Sequence, residues 1–343
     1  MDYRSVVTTT VLAMSCSALI LLLPGCGSSS SATSGGTGGS SIVSGNGGNS
    51  FAGGVTGVAK TISGIKYAGT ALPSQTLDLL LPGNATLPLP LIIRIHGGAF
   101  SGGSASEEET GTAASAILAK GYALAALNYR LSGEAQFPAG AQDVKAAVRW
   151  LRAHAADYGL DTAHFASWGE SAGAWFAVML GVTGDQSTVF DDDSLGNPGV
   201  STAVVGVVEW YGPVDFATQD SQQAAHPPAS CPTGWLQHTP ASSGDATWMG
   251  GALDSAAVST KVMQSNLVTY VGTARALPLF IMAHGDDDCV VSWGQAQELN
   301  DALAQVNNSA NFTILAGYSH VDSRFETTQT APDLTLLATV LGR

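Results

Sequence analysis

Short apolar runs recur along this chain and alternate with stretches in which apolar residues return at helical spacing. Strand-like runs lie near residues 64–69, 75–81, 89–95, 122–128, 163–168, 203–210, 277–284 and 311–316. The clearest helical pattern is 139–158, where Val144, Ala147, Val148 and Leu151 form one apolar stripe and Gly159 ends it. Further helical patterns fall near 107–120, 172–183, 294–306 and 332–341. Alternation of this kind predicts the α/β class, a mostly parallel twisted sheet with helices on both faces. No internal repeat interrupts it.

The N-terminus departs from this pattern. Arg4 lies in a short polar start, residues 11–23 are almost wholly apolar, and Leu23-Pro24-Gly25-Cys26 follows. The apolar run is shorter than the roughly 20 residues of a transmembrane helix, and a small residue before the cysteine suits cleavage. The segment looks like a bacterial lipoprotein signal, with Cys26 carrying the lipid and anchoring the protein to a membrane. An uncleaved anchor is the alternative. By the same resemblance, Gly27 in place of Asp favours the outer membrane. Residues 27–54 are mostly Ser, Gly, Thr and Asn, too polar to offset the entropy of ordering, so they are expected to be a tether with a reach of roughly 30 Å. The expected organisation is therefore a signal over 1–25, a lipidated cysteine and tether over 26–55, and one catalytic domain over 56–343.

Composition narrows the partners. The chain has 13 Lys and Arg against 27 Asp and Glu, a net charge of −14. Removing 1–25 takes away Asp2 and Arg4 and leaves that balance unchanged. Nucleic acid is an unsuitable partner for so acidic a protein, and the cations are too few for a basic membrane-binding patch. Cys16 and Cys26 belong to the signal region, which leaves Cys231 and Cys289. An oxidising compartment permits those two to pair, pinning the loop 216–275; two buried free thiols are the alternative.

The candidate chemistry starts at Gly169-Glu170-Ser171-Ala172-Gly173, between an apolar run and an apolar helix. A strand turning sharply into a helix strains the serine backbone and leaves its hydroxyl exposed, while the glycines remove side chains that would clash. Ser171 is thus the candidate nucleophile. Upstream, a β-rich run leads into His96-Gly97-Gly98-Ala99-Phe100 and Ser101-Gly102-Gly103. Ester cleavage builds negative charge on the former carbonyl oxygen, and fixed backbone N–H groups stabilise it by roughly 3 kcal/mol per donor. Gly97, Gly98 and the N–H of Ala172 are assigned to that oxyanion hole, with Ala99 a third possible donor from the loop. His96 is read as a group that orients the loop rather than as a base.

The run 278–285 ends in Asp286-Asp287-Asp288, where an acid is needed to hold the histidine tautomer and stabilise its imidazolium. Asp288 is preferred; Asp286 and Asp287 stay open. Of seven histidines, only His320 follows this acid, as the chain order serine, acid, histidine requires.

The motifs His96-Gly97-Gly98-Ala99-Phe100, Asn128-Tyr129-Arg130-Leu131-Ser132, Gly169-Glu170-Ser171-Ala172-Gly173, Trp210-Tyr211-Gly212-Pro213-Val214-Asp215 and His284-Gly285-Asp286-Asp287-Asp288 together resemble the α/β-hydrolase superfamily. Within it the similarity is to bacterial carboxylesterases of the feruloyl-esterase-like and hormone-sensitive-lipase-like branch, over roughly residues 60–343. The resemblance implies a triad of Ser171, Asp288 and His320 and an oxyanion hole from Gly97, Gly98 and Ala172. Val291-Ser292 stands where Val-Pro is usual, and Val321 where Gly is common.

Other conspicuous residues are assigned by pattern. Trp150, Trp175, Trp210 and His284 are expected in the core. Trp235, Trp248 and Trp293 lie where pocket walls form in this architecture, and at least one is expected to line the substrate site. Asp191-Asp192-Asp193 is read as a solvated loop rather than a cation site. Only 185–202 and 216–275 could cover the site, so a small lid or none is expected. The expected activity is a metal-free and cofactor-free serine carboxylesterase acting on short-chain or carbohydrate-linked esters. A serine peptidase on the same fold and a non-catalytic surface-binding lipoprotein are the competing readings; the natural substrate and oligomeric state are left open.

Overall fold

The computed structural model of this protein describes residues 57–70, 72–83, 85–231, 234–273 and 276–342. The signal, the lipidated Cys26 and the tether read from the sequence lie outside the described residues.

The strand-like runs form β1 (Val58–Lys66), β2 (Thr76–Pro82), β3 (Leu89–Ile95), β4 (Ala123–Leu127), β5 (Leu160–Glu170), β6 (Gly206–Trp210), β7 (Leu279–Gly285) and β8 (Asn311–Leu315). They make one sheet in the order β1-β2-β4-β3-β5-β6-β7-β8. β1 pairs antiparallel with β2, and β2 with β4. From β4 through β3 to β8 every pairing is parallel. Every residue of β3, β4 and β6 is buried, as expected for parallel strands covered on both faces.

Alternate residues of the central strands feed two cores. Leu91, Ile93 and Ile95 pack with Val144, Val148 and Trp175 on one face. Ile92, Ala166 and Trp168 pack with Ile117, Leu334 and Leu337 on the other. The helix Ala172–Thr183 is buried along its whole length. At Gly181 a Cβ would meet Val207 Cγ2 at 2.6 Å, so the missing side chain sets how closely this helix approaches the sheet.

Two helical readings are refined. The pattern over 139–158 is two helices, Ala139–Ala153 and Ala155–Tyr158. The break is at His154, whose ring stacks on Trp150 and whose Nδ1 lies 2.9 Å from the Trp150 carbonyl. Gly159 ends the second helix in the left-handed region, at φ 67°. The pattern over 107–120 likewise divides into Ala105–Glu108 and Gly111–Ala119.

The Asp191 reading is corrected. Lys145, buried on the helix Ala139–Ala153, places Nζ 3.0 Å from Asp191 Oδ2, so this aspartate is half of an ion pair and not a merely solvated group. Arg149 donates to the carbonyls of Asp192 and Gly196. These contacts bind residues 191–196 to that helix, leaving the loop after β6 to build the walls of the site.

A helix packed on the sheet also carries a titrating group. Asp333, on the helix Thr330–Leu341, accepts a 2.8 Å hydrogen bond from Trp210 Nε1 of β6. Burial raises its pKa to about 7, against the lowering effect of the indole donor. Between roughly pH 4 and pH 7 the folded state therefore binds more protons than the unfolded chain, and this group's contribution to stability falls as pH rises. Asp333→Asn keeps an acceptor for Trp210 and cannot ionise. The expected result in urea unfolding is a gain on the order of 4 kcal/mol over the parent at pH 8, roughly three pKa units at about 1.4 kcal/mol each, shrinking towards zero near pH 4; a difference that does not vary with pH would refute the account.

Candidate active site

The strand order reverses at β3, which lies between β4 and β5, and a crevice is expected outside the carboxyl ends of the strands at such a point. The motif residues converge there. Ser171 follows β5, His96 and Gly97 follow β3, Asp288 lies just beyond β7, and His320 follows β8 after a short turn.

Ser171 is at φ 53° and ψ −124°, a strained conformation for a residue with a side chain. Glycines make the turn possible. A Cβ on Gly173 would stand 1.9 Å from the Ile95 carbonyl oxygen, and one on Gly169 would stand 2.2 Å from the Gly173 carbonyl oxygen. Ser171 N–H donates to the Trp210 carbonyl at 3.0 Å, tying the turn to β6.

Ser171 Oγ lies 2.9 Å from His320 Nε2, and His320 Nδ1 lies 2.7 Å from Asp288 Oδ2. A carboxylate only accepts, so Nδ1 carries the proton and Nε2 is free to accept from the serine hydroxyl. Asp288 Oδ1 accepts from the N–H groups of Val290 and Val291, at 2.8 and 2.9 Å. Its Oδ2 also faces His284 Nε2 at 3.3 Å. Burial alone would raise the Asp288 pKa, but His320, His284 and their hydrogen bonds hold it well below the usual carboxylate range. The neighbouring acids are otherwise engaged: Asp286 accepts from Gly317 N–H and Asp287 from Ser230 N–H. Asp288 is the aspartate of the three that meets His320.

The glycine loop passes directly beside the serine. A Cβ on Gly97 would lie 3.3 Å from Ser171 Cβ. Gly98, at φ 104°, accepts through its carbonyl from Ser101 and Gly102, and a Cβ there would stand 2.3 Å from the Gly102 carbonyl oxygen. Ala99 and Ala172 both line the cleft at Ser171. His96 stacks on Tyr129 with ring centroids 4.3 Å apart, and its Nδ1 lies 2.8 Å from the Gly97 carbonyl. Burial lowers its pKa to about 4, so it is neutral and braces the loop.

Three groups escaped the sequence reading. Arg94, buried on β3, meets Glu108 at 2.5 Å and Glu170 at 2.8 Å, while Tyr211 Oη–H donates to Glu170 at 2.8 Å. This cluster holds Glu170, the residue before Ser171; burial raises the Glu108 pKa to about 7 against the pull of Arg94. His284, read only as core, is buried and also contacts the acid. His238 and Asp245 form a buried pair at 2.5 Å in the wall of the cleft. No motif marks them, because their contact joins a loop residue to the short helix Gly244–Met249.

None of the three tryptophans expected in the pocket lines the cleft. Trp248 is fully buried and stacks on Phe100 with centroids 3.9 Å apart. Trp293 packs on His226, and Trp235 is half-buried beside Leu236, which lines the cleft in its place. Cys231 and Cys289 are joined by a disulfide with Cα atoms 6.1 Å apart, linking the loop after β6 to the residue next to Asp288. A separate open groove of about 430 Å³, lined by residues such as Gln186, Thr260 and Tyr270, contains none of the residues assigned to the site.

The BD-FAE family model matches residues 77–303. LipM, a probable carboxylic ester hydrolase of Mycobacterium tuberculosis, is 30% identical over 240 residues, covering 67% of this chain and 47% of its own length. The chain thus spans about half the length of that curated relative. A truncated carbohydrate esterase from gut microbiota superposes with a TM-score of 0.72 and 26% identity, covering 85% of this chain and 100% of the other. A bifunctional GH43-CE protein of Bacteroides eggerthii gives a TM-score of 0.72 and 27% identity over 82% of this chain and 35% of its own. The sheet order, the two-faced core and a family match over more than half the sequence agree: this chain belongs to the BD-FAE family and has the α/β-hydrolase fold.

Proposed function

We propose that this protein is a serine carboxylesterase that cleaves short-chain or carbohydrate-linked esters through Ser171, His320 and Asp288. The observation that carries the reading is the continuous hydrogen-bonded chain from Ser171 Oγ through His320 to Asp288, beside the Gly97 loop. The esterase names of the relatives support the same reaction class. Carbohydrate-linked substrates are supported by one of those names, that of a carbohydrate esterase.

In the proposed reaction His320 Nε2 takes the Ser171 proton as Oγ attacks the ester carbonyl. Asp288 stays ionised and stabilises the imidazolium. N–H groups of Gly97, Gly98 and Ala172 receive the charge that develops on the carbonyl oxygen. His320 then returns the proton to the departing alcohol, and a water activated by the same nitrogen hydrolyses the acyl-enzyme. Accessible space beside Ser171 is about 30 Å³, on the scale of one or two water-sized groups, which favours acetyl over long acyl chains.

The signal-like segment, Cys26 and the polar tether support attachment to a bacterial envelope membrane through lipid. A disulfide between Cys231 and Cys289 agrees with an oxidising compartment there.

The expected results follow. Purified residues 27–343 should hydrolyse p-nitrophenyl acetate and butyrate far faster than octanoate or palmitate, and Ser171→Ala should abolish the turnover. Activity that survives this substitution would remove Ser171 from the mechanism, and no activity towards any ester would favour a binding protein. Asp288→Asn should lower kcat by roughly 10⁴-fold through loss of the correct histidine tautomer, while Asp286→Asn and Asp287→Asn stay within about tenfold of the parent. In cells given radiolabelled palmitate, the full chain should become labelled and Cys26→Ala should not; equal labelling would exclude Cys26 as the anchor.

A further inference from the structure

The wall facing Ser171 carries a hydrogen-bond arrangement that the proposed triad does not use. Gln219 and Asp245 line the same narrow cleft as Ser171, and both are buried. Gln219 Nε2 lies 3.0 Å from Asp245 Oδ2. Because a carboxylate only accepts, this contact fixes the amide orientation, with the NH₂ on Asp245 and Oε1 on the other side.

His238 holds Asp245 from behind. Its Nδ1 is 2.5 Å from Asp245 Oδ2, and its Nε2 is 2.6 Å from the Val290 carbonyl. Both partners are acceptors, so the ring is satisfied only when both nitrogens carry protons, as an imidazolium. Burial works against that charge, but the hydrogen bond and charge of Asp245 outweigh it and raise the His238 pKa above its usual value. Asp220 also faces this ring across the loop, and its carboxylate accepts from the N–H groups of His238 and Thr239. The amide of Gln219 is therefore clamped by an ion pair and not free to turn.

Gln219 Oε1 is buried and has no hydrogen-bond partner among the described residues. Leaving such an acceptor unmet is costly, so its persistence in the wall of a reaction cleft points to a donor supplied by the ligand. Resting on the esterase reading above, we infer that Gln219 Oε1 selects substrates that carry a free hydroxyl close to the reacting ester. The hydroxyl donates to Oε1 and the clamped amide rejects an alkyl group of the same size. It is a specificity-determining residue, and the hydrolytic chemistry stays with the serine.

Matched ester pairs test this directly. 2-Hydroxyethyl acetate and propyl acetate place OH against CH₃ on the alcohol side; methyl glycolate and methyl propionate do so on the acyl side. The parent enzyme should favour the hydroxylated member of at least one pair by about tenfold or more in kcat/KM, the scale of one buried hydrogen bond. The favoured pair tells whether the hydroxyl belongs to the alcohol or to the acid. Gln219→Met, close in shape but without the acceptor, should bring that ratio near one, with active sites counted by a fluorophosphonate so that misfolded protein does not enter the rate. No preference in the parent for either pair, or a preference unchanged in Gln219→Met, would overturn the inference while leaving the esterase reading intact. Failure of the parent to hydrolyse any of the four esters or p-nitrophenyl acetate would instead overturn the esterase reading, and the inference with it.

Discussion

The close approach of the helix Ala172–Thr183 to the end of β3 is the constraint from which the rest of the site follows. Gly173 lies so near Ile95 that a Cβ would stand 1.9 Å from its carbonyl oxygen. This contact brings the start of the helix against the strand that feeds the glycine loop. Ser171 can take its strained conformation because neighbouring structure overdetermines it, through Gly169, Gly173 and the bond from its N–H to Trp210. A side chain at Gly173 would separate Ser171 from the Gly97 loop and would disturb both together.

Parallel pairing supplies the second half of the arrangement. With β3 to β8 running the same way, the residues after each strand emerge on one edge of the sheet. Ser171, Asp288 and His320 are far apart in sequence and meet because each follows a strand end. The same geometry explains why Asp288, rather than Asp286 or Asp287, reaches His320. After β7 the chain turns so that Asp286 meets Gly317 and Asp287 meets Ser230, while Asp288 turns inward and caps Val290 and Val291.

What the sequence revealed depended on how local the signal was. The central strands were visible because each is a short apolar run with its own boundaries, and the serine, the glycine loop and the acid stood at the ends of three of them; β1 begins six residues before the run read at 64–69, because its half-exposed sequence carries no apolar run of its own. His320 was reached through chain order, as the histidine that follows the acid and the last strand-like run. Burial of Trp248 is a different matter: it sits on a helix of six residues, Gly244–Met249, too short to show an apolar period, and only the folded structure shows that it stacks on Phe100 in the core. Arg94 was equally hidden. A cation in an apolar strand becomes intelligible only when Glu108 and Glu170, distant in sequence, are seen around it.

The loop after β6 is braced to the acid rather than laid over it. Gln223 donates to the Asp288 carbonyl, Leu236 N–H to the Cys289 carbonyl, and His238 to the Val290 carbonyl. With the disulfide between Cys231 and Cys289, these bonds join the cleft wall and the acid-bearing turn at successive backbone positions. The acid's geometry and the wall's shape are therefore not independent variables. A substitution that loosens the wall also relaxes the turn orienting His320, so effects on selectivity and on turnover will be coupled here, and independent additivity is not expected between positions that share this frame. Gln219 touches the frame at one remove, through Asp245 and His238. That separation is why its amide is a site where recognition can vary while the hydrogen bonds around Asp288 stay in place.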